Sequence, residues 1–232
     1  MKLLRRDIHN HLLPGVDDGF QNAESSLKAI SRMASCGCRE IVFTPHMNPD
    51  VYPEESEAHF REVYASFVPQ IPPELGIRTH LAAEYMVVNG FEERAEHPEE
   101  LLTFPDGGIL VEMSYFFRSG NLEQTLFELN MAGLNPILAH PERYLYMAGS
   151  LRDFEKFQDT GCRFQMNFAS VSGKYGPESI KILSHLLDEG MYSFVATDLH
   201  SNVQLESILE SVPHKKIRKS FEKFLAGADL DI

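Results

Sequence analysis

Cysteine is scarce in this chain: Cys36, Cys38 and Cys162 are the three in 232 residues. So small and odd a set forms no disulfide framework, which fits a reducing compartment and makes the cytoplasm the expected location. Basic residues are outnumbered too, 21 Lys plus Arg against 34 Asp plus Glu, and the resulting charge of −13 argues against a nucleic-acid backbone as partner. No apolar run approaches the roughly 20 residues that span a bilayer, so no membrane insertion is expected. The stretch MKLLRRDIHNHLL interrupts its apolar residues with Asp7, His9 and His11 and lacks a signal-peptide core. A G-x-G-x-x-G turn after the first strand-like run is missing as well, which removes the simplest nucleotide-binding reading.

What is there is an ordinary globular composition, 43% hydrophobic and 24% charged, read as a single domain over residues 1–232. Seven strand-like runs, at 3–9, 40–45, 77–84, 108–113, 136–140, 163–167 and 192–198, alternate with helical patterns at 23–35, 57–68, 122–132, 151–160, 178–188 and 202–211. Gly133 and Gly190 stand where two of these helices should stop. A basic cluster at 214–223 reads as the solvated face of a last helix. Strands alternating with helices imply right-handed crossovers and a parallel sheet, open or closed into a barrel.

Residue types that bind metals fall at the C-terminal ends of these runs. His9 and His11 close the first, His46 the second, Glu84 the third, Glu112 the fourth, His140 the fifth, and Asp198 with His200 the seventh; Asp18 follows in the first loop. Glu84, Glu112 and His140 are spaced 28 residues apart, close to one strand-plus-helix unit, so equivalent points of successive units carry them. A parallel barrel explains the pattern, because its strand ends converge on one face. In a strand, residues two apart point to the same side, so both imidazoles of the H-x-H can reach one ion. His59, His97, His185 and His214 fall in helical or loop stretches and are set aside, and His80, below Glu84 with the same parity, is expected to fill the interior.

Five histidines and four carboxylates exceed what one tetrahedral site needs and suit three divalent ions. With Glu84 as a bridge, a consistent division gives His9, His11, Glu84 and Asp198 to one ion, Glu84, Glu112 and His140 to a second, and Asp18, His46 and His200 to a third. Three divalent cations against four carboxylates leave the site positive, which favours a dianion such as a phosphomonoester. The mixed ligands suit manganese, iron or zinc without selecting among them. Arg143, in the run HPER that begins with His140, is placed at the rim, where its fork could grip two phosphate oxygens.

These residues carry a resemblance. DIHNHLLPGVDDG, TPH at 44–46, AEY at 83–85, VEMS at 111–114, AHPERY at 139–144 and TDLH at 197–200 resemble the polymerase-and-histidinol-phosphatase (PHP) superfamily, and within it the CpsB/CapC-type bacterial tyrosine-protein phosphatases. The resemblance implies a distorted parallel (β/α)7 TIM-like barrel, which agrees with the strand count, and a trinuclear, usually manganese-dependent site. The implied partner is the phosphotyrosine tail of a bacterial tyrosine kinase that controls capsule or exopolysaccharide export. Carried over residue by residue, it marks His9, His11, Asp18, His46, Glu84, Glu112, His140, Asp198 and His200 as metal ligands and Arg143 as the phosphate-binding arginine. Two departures stand out. HNH replaces the HSH of many relatives, at a residue that should point away from the ions, and SNVQLES after the DxH motif lacks the second Arg that relatives often carry. Arg118 and Lys174, in loops expected on the same face, are the substitutes to test.

The expected mechanism is hydrolysis by a metal-activated hydroxide attacking phosphorus in line, with no covalent intermediate. A phenol of pKa about 10 leaves more readily than an aliphatic alcohol, so a general acid is dispensable. Thiol chemistry is excluded, because Val42, Thr44 and Phe168 stand six positions after the cysteines, where a thiol-based phosphate loop needs Arg. The loop at 85–107 and the acidic stretch at 48–57 should border an open mouth suited to flexible protein segments. Phosphotyrosine projects its phosphate far enough to reach recessed ions there. Three alternatives stay open: a small-molecule phosphomonoesterase such as a histidinol phosphatase, a binuclear amidohydrolase, which no strand ending in Lys supports, and a non-catalytic, metal-stabilised regulatory barrel.

Overall fold

The computed structural model of the chain describes residues 4–88 and 90–227. Its elements alternate in the expected order: β1 (Arg6–Asp7), α1 (Ala23–Ser35), β2 (Glu40–Phe43), β3 (His46–Met47), α2 (Glu57–Phe67), β4 (Arg78–Leu81), β5 (Glu84–Met86), β6 (Gly108–Glu112), α3 (Leu122–Met131), β7 (Asn135–Ala139), α4 (Asp153–Asp159), β8 (Arg163–Asn167), α5 (Pro177–Asp188), β9 (Tyr192–Ala196), α6 (Asn202–Glu210) and α7 (Arg218–Gly227). Local chemistry sets the helix starts. Asn22 and Ser201 cap α1 and α6 through side-chain oxygens that accept from Ser25 N and Gln204 N. Pro177 opens α5, where its missing N–H costs nothing. Gly133 and Gly190 follow α3 and α5 at φ of 81° and 68°, a left-handed turn that favours glycine.

Every strand pairing is parallel, in two sheets ordered β1-β2-β4 and β3-β5-β6-β7-β8-β9. Two of the seven expected runs are therefore broken. The run expected at 40–45 ends as β2 at Phe43, and β3 begins at His46 beyond Thr44 and Pro45, of which Pro45 has no N–H to give to a ladder. Residues 77–84 divide into β4 and β5 around Ala82 and Ala83. Hydrogen bonds from Ala82 N to Phe43 O and from Glu84 N to Pro45 O carry the pairing across both breaks. The first run shortens to Arg6–Asp7, with Leu3 outside the described residues, so His9 and His11 lie beyond β1. They remain extended because their neighbours hold the backbone from both sides. Asp198 N donates to His9 O, His11 N to Leu199 O and Thr44 N to Asn10 O.

Apolar residues separate into two clusters. A small one takes Ile8, Val42, Ala82, Leu110, Ile137 and Ala196 from successive strands or their extensions. The large one holds the alternate strand residues, such as Ile41, Phe43, Val111, Leu138 and Val195, against the helices through Ile30, Leu126, Leu183 and Leu205. The β-sheet alternation thus gives each strand one face toward the helices and one toward the small interior. His80 does not join that interior. It shares the face of Val42, its register partner, and of Ala82, but lies nearer the start of the strands, half-exposed with its Nε2 3.8 Å from Glu40 Oε1.

Candidate metal centre

All nine candidate ligands meet on one side of the sheets. Glu84, the first residue of β5, lies at the centre: its Oε2 is 3.0 Å from His46 Nδ1, 3.2 Å from His9 Nε2 and 3.5 Å from His11 Nε2, and its Oε1 is 3.0 Å from His140 Nε2. Glu112 Oε1 lies 3.0 Å from His46 Nδ1, and Asp198 Oδ1 lies 3.5 Å from His9 Nε2 and 3.3 Å from His11 Nε2. Farther out, Asp18 Oδ1 is 3.6 Å from Nε2 of both His46 and His200. His11, Asp18, His46 and His200 form one group able to hold a cation, and His9, His11 and Glu84 another. His9, His140 and Asp198 form a third, and His46, Glu84 and Glu112 a fourth. His46 faces the centre through Nδ1 and the outer group through Nε2, so it touches two of the three expected positions.

The chemistry of this donor set fits divalent cations. Glu84 Oε2 is buried and has no hydrogen-bond partner among the described residues, although three imidazole nitrogens surround it. His46 Nδ1 and His140 Nδ1 are also buried without a hydrogen bond. Left so, buried polar atoms cost about 1–3 kcal/mol each. Lone pairs that converge without meeting in hydrogen-bond geometry are what a shared cation would satisfy.

A ring of partners behind the ligands sets their tautomers. His9 Nδ1 donates to Gln165 Oε1 at 2.8 Å, and Gln165 Nε2 fixes that amide by donating to Met166 O. His11 Nδ1 donates to Asp17 Oδ2 at 2.8 Å, and His200 Nδ1 to the Asp198 carbonyl at 2.9 Å. Each bond turns Nε2 toward the site as the nitrogen a cation would take, the usual way an outer partner orients a ligand. Asn10 of the HNH motif does point away: its Nδ2 donates to Asp7 Oδ2 and Val42 O. His140 and Asp198 occupy left-handed backbone, at φ of 34° and 49°, which costs about 1–3 kcal/mol per residue and clusters at functional sites.

Electrostatics follow the crowding. Burial alone would raise the Glu84 carboxyl, but His9, His46 and His140 hold it well below the carboxylate range. Asp198 is likewise held low against burial, by His9, His11 and Arg143. Burial and His46 pull the His11 imidazole down, yet Asp17 and Asp198 outweigh them and set it at about 9. Burial and His11 push His200 down to about 4. At neutral pH His11 therefore carries a proton that a cation at Nε2 must displace. Cation loading should release protons, and affinity should fall as pH falls. Titration calorimetry of metal-free protein in buffers of different ionisation enthalpy should give at least one proton released at pH 7; none would contradict the assignment.

Arg143 stands at the rim. Its Nη1 donates to Asp198 Oδ2 at 2.6 Å, and the guanidinium lies between the rings of Tyr115 and Tyr175, 4.4 and 4.7 Å from their centroids. Asn167 Nδ2 donates to the same Asp198 oxygen at 2.6 Å. Lys174 lines a pocket with Arg143, Asp18 and His200, whereas the Arg118 guanidinium is engaged by Asp153 and Glu123. The thiols lie apart from the site, and burial pushes those of Cys38 and Cys162 up to about 12.

Sequence reasoning missed Asp17, Gln165, Asn167, Tyr115 and Tyr175. Gln165 and Asn167 had a readable signal, two polar residues of one parity in the otherwise apolar run FQMN of β8. Asp17 sat beside Asp18 with nothing in the sequence to separate their roles. Asp17→Ala should weaken metal binding about 10–100-fold, the usual loss on removing an outer partner of a ligating histidine. Competition with a chromogenic chelator measures it, and unchanged affinity would show that His11 needs no partner.

The comparisons with known proteins agree with this geometry. The family described as capsular polysaccharide synthesis, CpsB/CapC, matches residues 5–225. The chain is 28% identical to tyrosine-protein phosphatase YwqE of Bacillus subtilis over 84% of its own length and 77% of that protein's. It is 27% identical to tyrosine-protein phosphatase CpsB of Streptococcus pneumoniae, over 84% and 82% of the two chains. A crystal structure from work on YwqE and CpsB, described as metal-dependent tyrosine phosphatases, superposes with a TM-score of 0.80 at 25% identity, covering 97% of this chain and 89% of the other.

Proposed function

This chain belongs to the CpsB/CapC family, and from that premise we propose that it is a metal-dependent protein-tyrosine phosphatase. The observation that carries the reading is the buried, unpartnered Glu84 oxygen at the meeting point of nine ligand-type side chains, with a guanidinium at their rim. Phosphatases of this kind use metal and charge rather than a thiol nucleophile, and the buried, high-pKa thiols of Cys38 and Cys162 are consistent with that.

The reading takes the two sheets as one distorted (β/α)7 barrel in a single domain. The hydrogen bonds that join the extension of β1 to the segment after β9, and the interior cluster drawn from successive strands, support it. It assigns His9, His11, Glu84 and Asp198 to one ion, Glu84, Glu112 and His140 to a second, and Asp18, His46 and His200 to a third, with manganese as the expected metal. Bound there, divalent cations would supply an acidified water and positive charge for the phosphate oxygens. The chain's own groups do the rest. Arg143, packed against the rings of Tyr115 and Tyr175 and held by Asp198, offers its remaining guanidinium donors to a phosphate dianion. Gln165, Asp17 and the Asp198 carbonyl hold the Nδ1–H groups of His9, His11 and His200 outward, so that Nε2 of each is the nitrogen turned to the site. A phenolate leaves without an obligatory proton donor, and the reading requires none.

The natural substrate is read as the phosphotyrosine tail of a bacterial tyrosine kinase of capsule or exopolysaccharide export, met in the cytoplasm. No helix among the described residues is long and apolar enough to cross a membrane. A panel of manganese-loaded assays tests the substrate class. Phosphotyrosine peptides should exceed phosphoserine peptides and histidinol phosphate in kcat/KM. An advantage of about tenfold or more for histidinol phosphate, 1.4 kcal/mol of transition-state binding, would make the chain a small-molecule phosphatase.

A further inference from the structure

A groove of about 700 Å³ opens from one side of the metal centre. Asp18, His46 and Glu112 lie along it, and it continues between the 48–52 loop and the 114–120 loop. Beyond the candidate ligands much of its lining is apolar: Val51, Tyr52, Val87, Val88, Phe116 and Phe117. Phe116 is 89% exposed and Phe117 68%, the two most exposed aromatic side chains among the large exposed apolar residues. Two phenylalanines in that state lose apolar burial that a bound apolar group would restore. The entrance is aromatic as well. Tyr52 stacks on His46 at 6.2 Å between centroids, and Tyr115 lies 5.6 Å from His140.

Charge narrows the occupant. Away from the candidate ligands Asp50 lines the groove, and its one guanidinium, Arg118, is engaged by Asp153 and Glu123. An acidic side chain beyond the metal centre would therefore meet like charge with no unengaged side-chain cation in that lining, on a chain of net charge −13. The groove is also continuous with the centre, so a chain whose phosphate reaches the ligands must lay its neighbouring residues along these walls or away from them. We propose that the groove receives an apolar side chain next to the phosphotyrosine of the substrate, with Phe116 and Phe117 as the residues that select it. This rests on the protein-tyrosine-phosphatase reading and adds a sequence preference to it.

The test uses the manganese-loaded protein and two phosphotyrosine peptides that differ only at the residues flanking phosphotyrosine, Leu in one and the uncharged Gln in the other. Wild type should favour the Leu peptide by about tenfold or more in kcat/KM, mainly through KM, the effect of burying much of one leucine side chain. The double variant Phe116→Ser, Phe117→Ser should bring the ratio to within about twofold of unity, and Val51→Ser, in the same lining, should lower it separately. Phe127→Ser, exposed on α3 outside the groove, should keep the wild-type ratio. Because each ratio is internal to one protein, a general loss of turnover does not move it. A wild-type ratio near one, or a preference undiminished in the double variant, would overturn the proposal. Cleavage of a small aryl phosphate with neither peptide cleaved would overturn the protein-phosphatase reading and the groove assignment together; cleavage of both peptides at equal rates would overturn the groove alone.

Discussion

Alanine at Glu84 should remove more than one metal ion and lower turnover on a phosphotyrosine peptide by about three orders of magnitude, the scale on which cations stabilise transition-state charge. The expectation follows from position. Glu84 faces four of the five histidines of the site, at 3.0 to 3.5 Å, and one of its oxygens has no other partner. The informative contrast is His200→Ala. His200 belongs to the outer group with Asp18 and to none of the groups that contain Glu84, so its loss should remove a single ion. His46 is a poorer contrast, since its two nitrogens face both groups. Elemental analysis of the two variants decides the point. Equal loss of one ion in each would contradict a bridging role for Glu84.

Alanine at Arg143 should slow turnover by about 10²–10³, the usual consequence of losing one transition-state donor, while leaving the metal content intact. The metal should stay because Asp198, the proposed ligand that Arg143 touches, keeps its second donor in Asn167. Arg143→Lys should recover only part of the rate. An ammonium supplies a point charge, and neither stacks between Tyr115 and Tyr175 nor offers a fork. Wild-type turnover in Arg143→Ala, or loss of metal in step with rate, would reject its role as a phosphate clamp.

The parts of the molecule governed by local rules were legible. The limits of α1 follow from Asn22 and the stripe of Ala29, Ile30 and Met33, and the ends of α3 and α5 from Gly133 and Gly190. The ligand types could be read because they recur at the exits of parallel strands, a pattern that needs only the alternation of strand and helix. Legibility failed where tertiary contact outweighed local pattern. Parity put His80 on the face of Val42 and Ala82, but its level near the start of the strands leaves it half-exposed beside Glu40, and parity does not encode that level. His9 and His11 looked like strand residues and are held extended by Leu199, Asp198 and Thr44 instead. Gln165 and Asp17 act on histidines 156 and 6 residues away, contacts that residue types alone do not announce. Phe116 and Phe117 carry no periodic signal, since they lie in a loop where neither strand nor helix spacing applies.

The most direct test of the central claim, that this cluster of imidazoles and carboxylates works as a metal-dependent phosphotyrosine hydrolase, is to strip the protein with chelator and restore Mn²⁺ in steps. Phosphate release from a phosphotyrosine peptide and bound metal should be measured on the same samples. The account predicts no turnover in the stripped protein, and a return of turnover that follows the filling of the site. Turnover by metal-free protein equal to that of loaded protein would contradict it.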